Sequence, residues 1–265
     1  PEAESFDDAL SKWSFDYDLA ADTICAKPVT WRVPETPGTY WLTARLTGIA
    51  GRPVLSQRCF RSISKPKPSE ACRANSYIVL GSDDTSRAFF RGHELRTVSS
   101  DATLDPEHHV VVLWDPMQVE WNEKRRTDDL RRFASNGGRI IILATRRWDW
   151  KELCDIEVKG TGGSRVFPYE GQEGHAVLKG VNLESLKRWN GLPGTVAVAS
   201  IRGPTVQRSR KILWVREPGL TTLMEVPIGE GRLLFSQLDV RSHVLPTFDR
   251  YDPAADRILL NLLTP

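Results

Sequence analysis

NGGRIIILATRRWDW, residues 136–150, is the stretch on which the fold class turns. A Gly-Gly turn at 137–138 leads into Ile140-Ile141-Ile142-Leu143-Ala144, apolar at every position. An apolar run without alternation predicts a strand buried on both faces, the pattern of a parallel α/β sheet. In such a sheet ligands bind in the crevice outside the carboxyl ends of the strands. Many enzymes place a Ser or Cys there between glycines, on a strained elbow. This strand instead delivers Thr145, Arg146, Arg147, Trp148 and, two residues on, Trp150.

Working outward, WNEKRRTDDLRRFASNGG (121–138) predicts a helix ahead of that strand. Asn122 is its expected N-cap, and Leu130, Phe133 and Ala134 form its inner face. Asp128 and Arg132 are spaced as an i,i+4 pair, and Gly137 stops the helix. Upstream, YIVLG (77–81), ELRTVS (94–99) and HVVVLWD (109–115) read as strands. Strands alternating with helices predict a doubly wound parallel sheet. Beyond residue 160 come a Gly-rich loop, GTGG (160–163), and a short helix near 182–189. TVAVASI (195–201) and KILWVRE (211–217) then read as strands, and 221–240 as a hairpin about Gly229-Glu230-Gly231. The closing DPAADRILLNLL (252–263) predicts a helix with Asp252 as N-cap and Pro253 at the first helical position. Ala255, Ile258, Leu259 and Leu262 make its apolar stripe.

The N-terminal part has a different grammar. Residues 28–63 contain a Pro-Gly turn at 37–38, alternation through Tyr40, Leu42, Ala44 and Leu46, a Gly-containing turn at 48–53 and a second alternating run through Phe60. Two such runs predict an antiparallel hairpin, here as a partial, Ig-like β-sandwich segment. SKPKPSEACRANS (64–76) reads as a linker. The expected organisation is a sandwich segment over 1–63, a linker over 64–76 and an α/β domain over 77–265. The chain opens without an initiator Met, a basic n-region or an apolar h-region, so it reads as a mature protein, a trimmed chain or a fragment of a longer one.

Composition narrows the function classes. With 36 basic and 34 acidic residues the net charge is only +2, which gives no reason to expect nucleic acid or an anionic membrane as partner. The longest apolar runs fall far short of the roughly 20 residues that span a bilayer. Cys25, Cys59, Cys72 and Cys154 include no C-x-x-C pair and no metal-like spacing. Buried free thiols are the default; a Cys59–Cys72 or Cys25–Cys59 disulfide is the alternative in an exported protein.

Each chemical candidate has a plain structural counterpart. No G-x-S-x-G or G-x-C-x-G occurs, and Cys154 reads as a packing thiol. Adjacent His108 and His109 point to opposite faces of a strand, and His93 stands alone. His175, Asp239 and His243 form a metal set only if the fold assembles them, so no metal and no cofactor is expected. GTGG at 160–163 lacks a Walker Lys-Ser/Thr and reads as a flexible loop. Asp83 and Asp84 follow the first strand and Asp115 the third. Two carboxylates at a sheet edge suit glycoside hydrolysis, and acids after strands also cap the next helix, the favoured reading. Among the nine tryptophans, Trp114, Trp148 and Trp150 fall at the carboxyl edge. Indole faces stack on sugar rings while Asp115, Arg146 and Arg147 bond hydroxyls; the counterpart is burial in an interface.

Two stretches carry a family resemblance. GEGRLLFSQLDVRS…YDPAADRILLNLL (229–263), with HAVLKGVNLESLKRWNG (175–191), resembles the C-terminal region of bacterial multidomain enzymes of glycoside hydrolase family 2. PETPGTYWLTARL…SQRCFRSI similarly resembles the β-sandwich before that region. The resemblance implies a flavodoxin-like domain of the class I glutamine amidotransferase type, following sandwich modules. That fold normally carries a Cys nucleophile after a strand and a His and Glu later. Strand 139–145 lacks the Cys and its glycines, and no His-x-Glu appears in the final third. The resemblance therefore implies a relative without the nucleophile, like the domain that mediates oligomer contacts in some β-galactosidases. Its partners would be other domains of the hydrolase, a second copy and polysaccharide, in the periplasm or outside the cell. The expected function is a non-catalytic accessory region. The alternatives are a glycoside hydrolase acting through Asp83, Asp84 or Asp115, and a stand-alone carbohydrate-binding protein.

Overall fold

A computed structural model describes residues 11–16, 30, 32, 34, 36–46, 54–62, 64–119, 127–144, 150–160, 162–190, 195–244 and 250–264. It divides into two units, Pro1–Ser64 and Lys65–Pro265.

In the first unit, β1 (Gly38–Leu46) and β2 (Val54–Ser62) form an antiparallel hairpin in unbroken register from Gly38↔Ser62 to Leu46↔Val54. Tyr40 and Phe60, opposite each other, stack at 5.5 Å. These two strands are the whole sheet of this unit among the described residues.

The second unit begins with α1 (Glu70–Ala74), inside the stretch expected to be a linker, capped by the Ser69 hydroxyl accepting from Cys72 N–H. There follow β3 (Ser76–Leu80), α2 (Asp84–Gly92), β4 (Arg96–Val98), β5 (His109–Leu113), α3 (Thr127–Ser135) and β6 (Arg139–Ile142). The chain continues through α4 (Lys151–Cys154), β7 (Glu157–Lys159), β8 (Val166–Pro168), β9 (Ser200–Arg202) and α5 (Pro204–Arg208). It ends with β10 (Arg210–Val215), β11 (Thr221–Ile228), β12 (Gly231–Ser236), α6 (Val240–His243) and α7 (Pro253–Leu263).

Ten strands make one sheet in the order β4-β3-β5-β6-β12-β11-β10-β8, with β9 pairing both β11 and β7. The first five are mutually parallel; from β11 outward each pairing is antiparallel. The sheet is thus mixed, its parallel half extended by hairpins, because short loops such as Gly229-Glu230 permit only antiparallel return. The triple isoleucine of β6 is fully buried between β5 and β12. Both faces are covered. On one, Phe89 and Phe90 of α2 and Ile258, Leu259 and Leu262 of α7 pack with Val110, Val112 and Ile141. On the other, Leu130, Phe133 and Ala134 of α3 pack with Ile140, Ile142 and Phe235.

The closing helix forms as its sequence predicts, with Asp252 accepting from Ala254 N–H and Pro253 in the first turn. The expected Asn122 cap lies outside the described residues, and Arg132 pairs with Asp129 at 3.6 Å. The expected helix near 182–189 is a 3-10 turn, Leu183–Lys187. In the Gly-rich stretch expected to be a flexible loop, Gly162 and Gly163 are packed against backbone and side chains, while Gly160 has nothing within 4 Å of a Cβ position. Gly163 bridges Ala197, and a Cβ on Gly162 would lie 2.4 Å from the Ala197 carbonyl oxygen. Cys59 and Cys72 are free thiols, one in each unit, and Cys25 of the other alternative pairing lies outside the described residues.

Candidate functional site

The parallel strands bring four segments to one edge: Gly81-Ser82-Asp83 after β3, Trp114-Asp115 after β5, Leu143-Ala144 after β6 and Gln237-Leu238-Asp239 after β12. From β3 the chain moves outward to β4, then returns past β3 to β5, so the winding reverses between β3 and β5. That reversal is where an open α/β sheet leaves a crevice. Here it is tight. Gly81 has φ +65°, and a Cβ on it would stand 2.1 Å from the Asp115 carbonyl oxygen.

Asp115 is the charged centre of this edge. Its Oδ1 accepts from Met117 N–H at 3.0 Å, and its Oδ2 lies 2.9 Å from Arg241 Nη1. The pair is largely shielded, with side chains 16% and 26% exposed. Asp115 follows β5 and Arg241 sits on α6 after β12, while β6 lies between those strands. The ion pair therefore crosses the line of β6, whose own end is the buried Leu143 and Ala144. Beside it, Asp239 Oδ1 accepts from the Ser242 hydroxyl at 2.7 Å. The His243 ring bridges two backbone carbonyls, Asp239 at 2.8 Å from Nδ1 and Asn190 at 3.0 Å from Nε2, with Trp189 packed edge-on.

The other expected site residues occupy distinct places. Asp83 caps α2 in a reciprocal box: its Oδ1 accepts from Ser86 N–H at 2.7 Å, and its own N–H donates to the Ser86 hydroxyl at 2.9 Å. Asp84 is exposed and pairs with Arg87 at 2.6 Å. Trp114 is fully buried, its ring against Phe89 and Phe90, and Trp150 is buried edge-on to Phe235. The faces of these two indoles are packed by protein in this structure. Arg146, Arg147 and Trp148 lie outside the described residues. Cys154 is buried, which pushes its thiol up to about 12 and keeps it protonated. The serines at this edge bond Ser86 and Asp239, not a histidine.

The structure separates His175 from the set expected with His243. His175 Nδ1 accepts from Val177 N–H, and its Nε2 faces Glu225 Oε2 at 3.7 Å. Among the described residues no group of three His, Cys, Asp or Glu is arranged to hold a metal ion. Glu225 also meets Arg232 at 3.1 Å. The His175 imidazole, ahead of the Arg232 guanidinium and against partial burial, holds the Glu225 carboxyl down to about 2.

Sequence reasoning missed a third buried network. His93 Nε2 lies 2.8 Å from Asp256 Oδ1, and the Tyr251 hydroxyl donates to Asp256 Oδ2 at 2.7 Å. Burial and the Asp256 carboxylate push the Tyr251 phenol up. The network ties the end of α2 to α7 across more than 160 residues of chain, a separation no local pattern encodes.

No protein-family model matches the chain, and no curated protein does. Among solved structures, it is similar to a cytoplasmic protein, STM3548, from Salmonella typhimurium. That likeness has 9% identity over 84% of this chain and 94% of the other, at TM-score 0.43. It is also similar to a β-galactosidase from Bacillus circulans sp. alkalophilus, at 10% identity over 72% of this chain and 30% of that one, TM-score 0.40. An exo-β-1,4-mannosidase, Op5Man5, from Opitutaceae bacterium strain TAV5 matches at 13% identity over 59% of this chain and 26% of that one, TM-score 0.35. The stretch of chain alike is thus a third or less of each of these two glycoside hydrolases. With TM-scores below 0.5, these likenesses assign no activity to this chain.

Proposed function

We propose that the α/β unit is a non-catalytic module of the flavodoxin-like, amidotransferase-related type, serving a carbohydrate-active enzyme together with the β-sandwich segment that precedes it. Its work is to hold contacts between domains or subunits and, through Arg146, Arg147 and Trp148 as the sequence suggests, to bind polysaccharide. The domain limits that go with this reading are 1–63, 64–76 and 77–265. The sugar class rests on the sequence resemblance of 175–191 and 229–263.

The observation that carries the non-catalytic reading is the Asp115–Arg241 pair. A general acid or base must be free to reach its substrate and tuned toward the working pH. Asp115 is instead clamped by a guanidinium and a backbone N–H, and Asp83 is consumed by a helix cap. The clamp runs across the end of β6, the place where the resembling fold carries its nucleophile.

The test is direct. The purified chain is incubated with aryl glycosides and with glutamine; no release of phenol or ammonia is the expected result. Turnover abolished by Asp115→Asn would overturn the reading in favour of a hydrolase acting through its carboxylates. Affinity electrophoresis in polysaccharide gels, with Trp148→Ala as control, addresses binding. Retardation lost in the variant supports it; equal mobility in gels with and without polysaccharide removes binding and leaves the contact role.

A further inference from the structure

The buried ring of His243, at the end of α6, faces two acceptors. Its Nδ1 lies 2.8 Å from the carbonyl oxygen of Asp239 and its Nε2 3.0 Å from that of Asn190. A backbone carbonyl oxygen can only accept. A neutral imidazole donates from one nitrogen and carries a lone pair on the other; only the imidazolium donates from both. The two contacts are therefore both hydrogen bonds in one protonation state and not in the other.

The charges around the ring suit a cation. At the start of α6, Asp239 Oδ2 is 3.9 Å from Nδ1. At the start of α7, buried Asp252 donates its N–H to the His243 carbonyl at 2.8 Å, and its Oδ2 accepts from Asn190 N–H at 3.1 Å. The Asn190 backbone is thus held on both sides, its N–H by Asp252 and its carbonyl by His243. Arg241, the other cation of α6, is committed to Asp115. Asp256, one turn into α7, is engaged by His93 and Tyr251. Arg188 and Arg250, on the adjoining segments, are exposed, and Trp189 packs edge-on to the ring.

We propose that His243 is a proton-operated tie at the carboxyl edge of the sheet: doubly protonated, it joins α6 to Asn190, and loss of one proton releases Asn190. Nδ1 has the shorter contact and the Asp239 carboxylate beside it, so the remaining proton stays there. Nε2 then turns a lone pair toward the Asn190 carbonyl, and a buried acceptor left without a donor is unfavourable. The Trp189–Asn190 end of the segment that follows the Leu183–Lys187 turn loosens. Helix α6 keeps its place through the Arg241–Asp115 pair. Proton gain closes this part of the edge and proton loss opens it, a control that the contact and binding roles proposed above do not supply.

Nuclear magnetic resonance of the full-length, nitrogen-15-labelled chain tests this. Both His243 ring nitrogens should resonate as N–H at about pH 5, and at about pH 9 Nε2 alone should resonate as an unprotonated nitrogen. Across the same titration the protection factor of the Asn190 amide should fall about tenfold, the effect of one lost buried hydrogen bond. The Asp252 amide, bonded to the His243 carbonyl, should keep its protection. In His243→Phe the Asn190 amide should have the low value at every pH. The ring-nitrogen signals of the unmodified chain decide the matter even if that variant does not fold. One unchanging tautomer across the range would overturn the proposal, as would proton loss from Nδ1 in place of Nε2. Asn190 protection that ignores the titration, or that follows pH equally in His243→Phe, would overturn it too.

Discussion

Arg139 Nη2 donates to the carbonyl oxygen of Leu262 at 2.7 Å, and its Nη1 donates to that of Thr264. One guanidinium at the start of β6 thereby satisfies two carbonyls at the end of α7. The last carbonyls of a helix have no partner within it, and a buried helix end needs such a donor. Arg139 is itself buried, which lowers its guanidinium to about 10, so it stays charged at neutral pH.

Arg139→Met should therefore destabilise the fold by about 2–4 kcal/mol, because it strands two buried acceptors. Arg139→Lys should recover only part of this, since an ammonium lacks the planar fork that reaches both carbonyls. Urea denaturation followed by circular dichroism reads the loss. Equal midpoints for Arg139→Met and the parent chain would contradict the role of the contact.

Gly81 and Gly137 form a matched pair of tests. Both have positive φ, but a Cβ on Gly81 meets the Asp115 carbonyl whereas one on Gly137 meets nothing within 4 Å. Gly137→Ala should cost about 1 kcal/mol, the left-handed strain alone. Gly81→Ala should cost about 3 kcal/mol or more, because backbone must also move. Thermal melts of the two variants should be clearly separated; coincident melts would mean that the two loops are not in contact.

The Asp115–Arg241 pair predicts non-additivity. Removing either partner leaves a shielded charge unpaired, so Asp115→Asn and Arg241→Gln should each lose about 1–2 kcal/mol. The double variant should be no worse than the poorer single one, a coupling of about 1 kcal/mol or more. Additive losses in a denaturation cycle would show that the contact contributes no net energy.

Glu225 gives a pH signature. Its folded-state carboxyl titrates near 2, below its ordinary value of 4.5. A depressed carboxyl contributes stability that is fully present above the ordinary value and lost as pH falls toward the folded one. The parent chain should thus lose on the order of 2 kcal/mol between pH 5 and pH 2 through this group. Glu225→Gln should lack that component, so parent and variant stabilities should converge as pH falls. A constant gap between them over this range would refute the assignment.

Much of the α/β unit was legible because it is written in local patterns. The β6 isoleucines, the Asp252-Pro253 helix start and the Gly229-Glu230 turn each specify their own backbone geometry. Even the Glu225–Arg232 pair follows from that turn, since the register set by Ile228↔Gly231 puts Glu225 opposite Leu234 and diagonal to Arg232. The start of α2 was legible from Asp83, the favoured cap after the first strand, but not its extent, and its capping box carries Ser86 where the usual signal is Glu or Gln. Of the expected edge aromatics, Trp114 and Trp150 turned inward, and hydrophobicity alone gives no sign of which way an indole at a strand end will point.

Sequence by itself determined the buried strands β3, β5 and β6, the hairpin grammar that precedes them, and that no elbow nucleophile follows β6. Those properties depend on residue type at short spacing, and the physics of strands, turns and caps is short-ranged. Only the tertiary structure decided that the β11–β12 hairpin joins the parallel strands through β12 beside β6, that Asp115 is clamped by Arg241, and that His93, Tyr251 and Asp256 share one buried network. Each of these joins segments far apart in the chain, where closing the loop costs entropy that no local motif records and that only the packed core repays.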